Sequence, residues 1–278
     1  MIGIYGASGF IGRHLLRHFR QSKQDVMGTY FKRRQPELLA FDVMKDSPSI
    51  FDECDVVIVA GAISAMDACS DKPDYTYRVN VEAVARLSRY LADKKIKVVY
   101  LSSNQVFDGN RGNYSEDDEP EPHTEYGKQK YQVEQAILGL SESNLVLRLS
   151  KVYSRDESED SLYSLIARKL RKGETVKAAY NQIYNPTDVE YLCQMIGLSI
   201  ERDLHGVYHL AAEDIMSRYD FAVQIADKLG APHDLVEAVD IMSFPLKEYP
   251  PLNGGMRVTK IIDGLTLESH CMSETAES

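Results

Sequence analysis

Tyr126 and Lys130 stand four residues apart in the run Tyr126-Gly127-Lys128-Gln129-Lys130. That spacing puts both side chains on one face of a helix. An ammonium beside a phenol favours the phenolate and lowers a pKa that starts at about 10. Such a tyrosine can serve as a general acid or base near neutral pH. The spacing alone says little, because Tyr90 and Lys94 repeat it on a stretch with no partner residues nearby. Context separates the two pairs. Upstream of Tyr126, Val98-Val99-Tyr100-Leu101-Ser102-Ser103 reads as a buried strand ending in two hydroxyls. In a parallel sheet the carboxyl ends of strands face the ligand crevice. Ser103 can therefore reach a substrate carbonyl together with Tyr126. Its plainer role is to cap a turn or helix.

A second constellation opens the chain. Ile2-Gly3-Ile4-Tyr5 reads as a strand, Gly6, Gly9 and Gly12 follow at intervals of three, and an amphipathic run then begins. Gly6 can take the backbone angles of a tight turn. Gly9 has no side chain to hold a diphosphate away, and Gly12 lets the helix lie close to the strand. The helix start offers free N–H groups and a partial positive charge to a phosphate. The pattern is GxxGxxG rather than GxGxxG, and its strand–turn–helix setting carries the dinucleotide reading. Ser8, Phe10 and Ile11 lie in the same turn and count as cofactor contacts.

The choice of cofactor rests on the end of the second strand. An NAD site carries an acid about 20 residues past the glycines. Here the chain reads Tyr30-Phe31-Lys32-Arg33-Arg34, with three cations and no carboxylate. Arginine can hold a 2'-phosphate bidentately, so NADP(H) is expected over NAD(H). Tyr30, Lys32, Arg33 and Val43 join the expected cofactor contacts. Asp42 is expected either to accept from the adenine amino group or to cap the short helix that follows. Ala60-Gly61-Ala62, after the fourth strand, would let the backbone approach the cofactor.

These residues need a frame to hold them. Strand and helix patterns alternate, which argues for an α/β fold with a parallel sheet covered on both faces. Strands are expected at 25–30, 38–41, 55–60, 97–101, 145–149 and 206–210. Helices are expected at 75–92, 126–140, 162–170, 189–199 and 218–229. Residues 110–123 and 244–252 read as irregular. The expected architecture is a Rossmann doubly wound parallel sheet with a smaller, interwoven C-terminal substrate lobe. Residues 1–150 form the dinucleotide-binding part, 151–265 the lobe and 266–278 a loose tail. The net charge of −10 and pI near 5.2 argue against nucleic acid as partner. No stretch has the apolar length of a membrane span, and the chain opens on a core strand, which leaves no room for a signal peptide. Cys54, Cys69, Cys193 and Cys271 are scattered, as suits a reducing cytoplasm. His14 and His18 are read as a solvated helix surface, and no metal site is expected.

The chain resembles the extended short-chain dehydrogenase/reductase family, within it the dTDP-4-dehydrorhamnose reductase group. The three glycines match that family's turn, and Tyr126, Gly127 and Lys130 match its Tyr-Gly-x-x-Lys. Leu101-Ser102-Ser103-Asn104-Gln105-Val106-Phe107-Asp108-Gly109 matches the group's strand-end motif. Asn80, Arg148 to Tyr153, Asn185-Pro186-Thr187 and Gly206-Val207-Tyr208-His209-Leu210 match further landmarks. The resemblance implies that Ser103, Tyr126 and Lys130 form a catalytic triad, that Lys130 also holds the nicotinamide ribose, and that Asn80 belongs to the cofactor side. Asn104 and Gln105 stand where the group usually has Asp-Tyr, beside the substrate. Arg148 and Arg257 are the candidates for holding a nucleotide diphosphate. The implied activity is NADPH-dependent reduction of a 4-keto sugar nucleotide in the cytoplasm, with a homodimer as candidate assembly. An NAD-dependent epimerase or dehydratase, and a non-catalytic NADP-binding regulatory subunit, are the alternatives.

Overall fold

The computed structural model describes residues 1–32 and 34–265; Arg33 and the expected tail at 266–278 lie outside the described residues. Ile2–Tyr5 (β1) is buried along its whole length and feeds through the glycine turn into Phe10–Gln21 (α1). Val26–Tyr30 (β2), the two-residue Leu39–Ala40 (β3) and Val56–Val59 (β4) follow. Next come Met66–Asp71 (α2), Pro73–Tyr77 (α3) and Ala83–Asp93 (α4). Lys97–Ser103 (β5), Glu125–Leu138 (α5) and Leu145–Leu149 (β6) close the first half. The second half holds Lys151–Tyr153 (β7), Leu162–Arg171 (α6), Val176–Ala179 (β8), Ile183–Tyr184 (β9) and Pro186–Asp188 (β10). It continues with Val189–Glu201 (α7), Gly206–Leu210 (β11), Met216–Ser217 (β12), Arg218–Leu229 (α8), Val236–Val239 (β13) and Thr259–Leu265 (α9).

Seven strands form one sheet in the order β11-β6-β5-β4-β1-β2-β3, parallel at every pairing. This is the Rossmann-like doubly wound α/β arrangement. The order reverses between β1 and β4, which puts the topological switch point at their carboxyl ends. Buried on both faces, β4 reads Val-Val-Ile-Val without alternation. Val56 and Ile58 point into the layer formed with α1, α7 and α9, while Val57 and Val59 point into the layer formed with α4 and α5. A third core gathers Tyr153, Tyr163, Ile166, Phe221 and Val236 around α6, α8 and the β8–β13 pair. Helices α7 and α9 and strand β11 belong to the first core, although they lie beyond residue 150.

Two expectations change. The helix expected over 75–92 is two helices, α3 and α4, joined by a π-turn over Arg78–Glu82. That turn carries Asn80, whose side chain is bound to Ile63 far along the chain. His14 is not on a solvated surface. It is 2% exposed, because α7 covers that face of α1. Its Nδ1 lies 2.7 Å from a Glu190 oxygen and its Nε2 2.9 Å from a Glu159 oxygen. His18 is partly buried against Gly197 of α7, where a Cβ would stand 3.1 Å from its Nε2.

Candidate active site

Gly6 has φ +87°, and a Cβ on it would stand 2.5 Å from the Gly61 Cα. The ends of β1 and β4 thus meet glycine to glycine. A Cβ on Gly12 would stand 2.3 Å from the Gly6 carbonyl oxygen, so the start of α1 rests on the turn itself. Gly9 differs. It is exposed, and its added Cβ would meet only the Gly6 carbonyl, at 3.2 Å. Gly9 is also the N-cap of α1, with no side-chain cap and no acid in the first turn. The helix therefore shows free N–H groups and its positive end to an open face. Ser8, Phe10 and Ile11 are partly exposed around it. The donor set and the open Gly9 face fit a dinucleotide diphosphate.

Around the turn, Lys32 and Arg34 are exposed, and among the described residues no carboxylate pairs with either; Arg33 lies outside the described residues. Tyr30 packs against the first core. The Asp42 carboxylate accepts from the Met44 N–H at 3.0 Å and so caps its own turn; the short helix that follows, Pro48–Phe51, is capped by Ser47 instead. Val43 is buried and its carbonyl accepts from Arg86. Ala60 and Gly61 are partly exposed and Ala62 exposed at the end of β4. Asn80 spends its amide on the protein. Its Oδ1 accepts from the Ile63 N–H at 2.8 Å, and its Nδ2 donates to the Ile63 carbonyl and to Gln129. It holds the loop after β4 against α5.

Thr124 caps α5 through the Gly127 N–H, and the helix then carries Tyr126 and Lys130 on one face. The Lys130 ammonium lies 5.7 Å from the Tyr126 ring centre and 4.6 Å from that of Tyr100. It donates to the Leu101 carbonyl at 2.7 Å. Burial holds the Lys130 ammonium down at about 8. Burial also raises the Tyr126 phenol above its ordinary value. The direction is opposite to the lowering expected for that phenol, and its main cause is desolvation. Ser103 takes the capping role read for it, and its place on the cavity leaves its hydroxyl beside Tyr126. Its Oγ accepts from the Gln105 N–H at 3.2 Å, capping a 3-10 turn over Asn104–Val106, and it faces the same cavity as Tyr126.

That cavity has a volume of about 410 Å³. Ser103, Asn104, Gln105 and Tyr126 form one wall, and Lys151, Gln182, Tyr184 and Arg218 another. Leu246, Pro250 and Pro251 supply a third from a strap at residues 241–252. The strap is tied to the Rossmann side twice. Lys247 pairs with Asp71, and the Glu248 carboxylate accepts from the Glu125 N–H at 3.3 Å, at the start of α5. Asn104 donates to the Gly254 carbonyl at 2.9 Å.

The structure moves the arginines read from the sequence. Arg148 does not face the cavity. It is 3% exposed, pairs with the fully buried Glu134 at 2.8 Å and lies over the Phe107 ring, because β6 turns this position into the sheet's interior. Arg257 is exposed, and its backbone, not its side chain, joins Tyr114 and His209. The cations on the cavity wall are Lys151 and Arg218, which the sequence reading passed over. Lys151 opens β7, two residues past the carboxyl end of β6, a place the strand-end rule points to. No spacing marks Arg218 or Tyr184. Among the described residues no group is arranged to hold a metal ion, and no helix is long and apolar enough to cross a membrane.

A family model described as the RmlD substrate binding domain matches residues 1–273. The chain is 28% identical over 250 residues to the probable low-salt glycan biosynthesis reductase Agl14 of Haloferax volcanii, covering 84% of this chain and 82% of that one. It is 28% identical over 240 residues to methionine adenosyltransferase 2 subunit beta of Bos taurus, covering 82% and 72%. A dTDP-4-dehydrorhamnose reductase from Bacillus anthracis, solved in complex with NADP, superposes with a TM-score of 0.87 at 23% identity, covering 99% of this chain and 96% of that one.

Proposed function

The chain belongs to the RmlD substrate binding domain family, and we propose that it is an NADPH-dependent reductase of a 4-keto sugar nucleotide. It is an oxidoreductase of the short-chain dehydrogenase/reductase type. The observation that carries the reading is the joint placement of Tyr126 and Ser103 on one cavity wall, with the Lys130 ammonium behind the phenol. Gly6, Gly9 and Gly12 with the start of α1 would hold the cofactor's diphosphate, and Lys32, Arg33 and Arg34 its 2'-phosphate. When bound, the nicotinamide supplies the hydride for carbonyl reduction.

The protein's own part is proton supply and charge stabilisation. The Tyr126 phenol stays protonated at neutral pH, as a general acid must. It gives its proton to the carbonyl oxygen as negative charge gathers there. The Ser103 hydroxyl donates a hydrogen bond to the same oxygen. The phenolate left behind is then stabilised by the Lys130 ammonium.

A second reading is favoured by the bovine relative, which is a subunit of a methionine adenosyltransferase. It makes this chain an NADP-binding regulatory subunit. One assay decides between them. The protein is mixed with NADPH and dTDP-4-keto-6-deoxy sugars, and the reduced nicotinamide is followed by absorbance. Steady consumption supports the reductase. NADPH binding without consumption, across dTDP- and UDP-linked 4-keto sugars, overturns it and leaves the regulatory reading. An epimerase or dehydratase would convert the sugar while the NADPH level stays constant.

A further inference from the structure

The molecule as a whole carries a net charge of −10, yet the described residues lining the cavity at Ser103 and Tyr126 include two cations and no acid. Arg218 is one of them. It opens α8, and its guanidinium lies 5.3 Å over the ring of Phe244, which belongs to the strap. Its Nε is buried and meets no hydrogen-bond partner in the protein. Among the described residues no carboxylate pairs with it or with Lys151. Two further buried polar atoms on the same cavity lack a partner, the Tyr184 hydroxyl and the Gln105 Oε1. Tyr184 is 4% exposed, so its hydroxyl has no bulk water to fall back on.

A buried donor without a partner is costly, and two like charges on one cavity wall repel. An anion that accepts from both removes both costs. We propose that Arg218 and Lys151 are the seat of the substrate's diphosphate, with the Tyr184 hydroxyl as a third donor. That the anion is a diphosphate rests on the reductase reading; that the seat takes an anion rests on the cavity alone. The flat Phe244 ring fixes the plane of the Arg218 fork, which suits bidentate contact to phosphate oxygens. Lys151 adds a point charge from the start of β7. Specificity for a charged, nucleotide-linked sugar over a free sugar would be set here, away from Tyr126 and Ser103.

The test is binding measured by calorimetry with NADPH saturating, so that the glycine turn is already filled. The probes are inorganic pyrophosphate, dTDP and thymidine. Pyrophosphate and dTDP should bind the parent protein, and Arg218→Met and Lys151→Met should each weaken them about 10- to 100-fold. Arg218→Lys should fall between, since it keeps the charge and loses the fork. NADPH affinity should be the same in every variant, which also shows that each is folded. Pyrophosphate and dTDP affinities unmoved in both Met variants, or no binding of either probe to the parent, would overturn the proposal. The two readings fail separately. Arg218-dependent dTDP binding without NADPH consumption removes the reductase and keeps the anion seat. Turnover with a KM unmoved by both Met variants removes the seat and keeps the reductase.

Discussion

Tyr126→Phe keeps the ring in its helix and removes only the proton donor. Turnover should fall by roughly 10²–10⁴, the usual worth of a positioned acid, while NADPH affinity stays put. Tyr90→Phe is the control. The structure gives Tyr90 and Lys94 a partner after all: both bind Asp52 at the surface, at 2.6 and 3.5 Å. Loss of one exposed hydrogen bond should leave kcat alone. Equal losses from the two substitutions would show that the spacing carries no chemistry here. At this scale the sequence was legible where a residue is tied to its own element. Ser103 ends a strand and Tyr126 begins a helix, so both could be placed from their neighbours. Lys151, Tyr184 and Arg218 come from three separate segments, and only the folded chain brings them to one wall. The direction of the Tyr126 shift was missed because burial has no signature in a five-residue motif.

The glycine turn makes a sharper case for the element. Gly9→Val should leave the fold intact and abolish NADPH binding, because its side chain would fill the open face. Gly12→Ala should do the reverse. Its methyl group would meet the Gly6 backbone, which cannot swing away, and overpacking of this kind costs about 1–3 kcal/mol. Chemical denaturation and cofactor titration of both variants separate the two effects. A stable Gly12→Ala protein would mean that α1 can shift off the turn. Most strands were legible because parallel strands buried on both faces are continuous apolar runs. The π-turn was not, since Asn80 is fixed by a bond to Ile63, seventeen residues away, and local periodicity does not register such a bond.

For the whole molecule, His209 of β11 is one group that ties stability to acid. It is fully buried, with Nδ1 3.1 Å from the Arg257 carbonyl and Nε2 without a partner in the protein. Burial, helped by the nearby Arg148 charge, holds its imidazole down at about 3. The unfolded chain binds this proton below about pH 6.5, and the native state does not until about pH 3. The unfolded state therefore gains on acidification across that window. Stability should fall with a slope approaching one proton, about 1.4 kcal/mol per pH unit. Urea midpoints for the parent and His209→Gln, followed from neutral pH downward, should converge as pH falls. Parallel curves would remove His209 as the cause.

The pairing of β11 with β6 has a consequence for synthesis. All five residues of β6 are buried, and its outer edge is covered by a strand that begins at residue 206. While the chain is being made, β6 emerges first and waits. At ordinary translation rates the wait is roughly 3–12 s. Throughout it, an apolar edge with unpaired N–H and C=O groups is open to other nascent chains. A fragment stopped at residue 205 should collect in the pellet, and one stopped at 265 should remain in the supernatant. The sheet can be sealed on this side only after the ribosome has added the sixty or so residues that separate β6 from the end of β11.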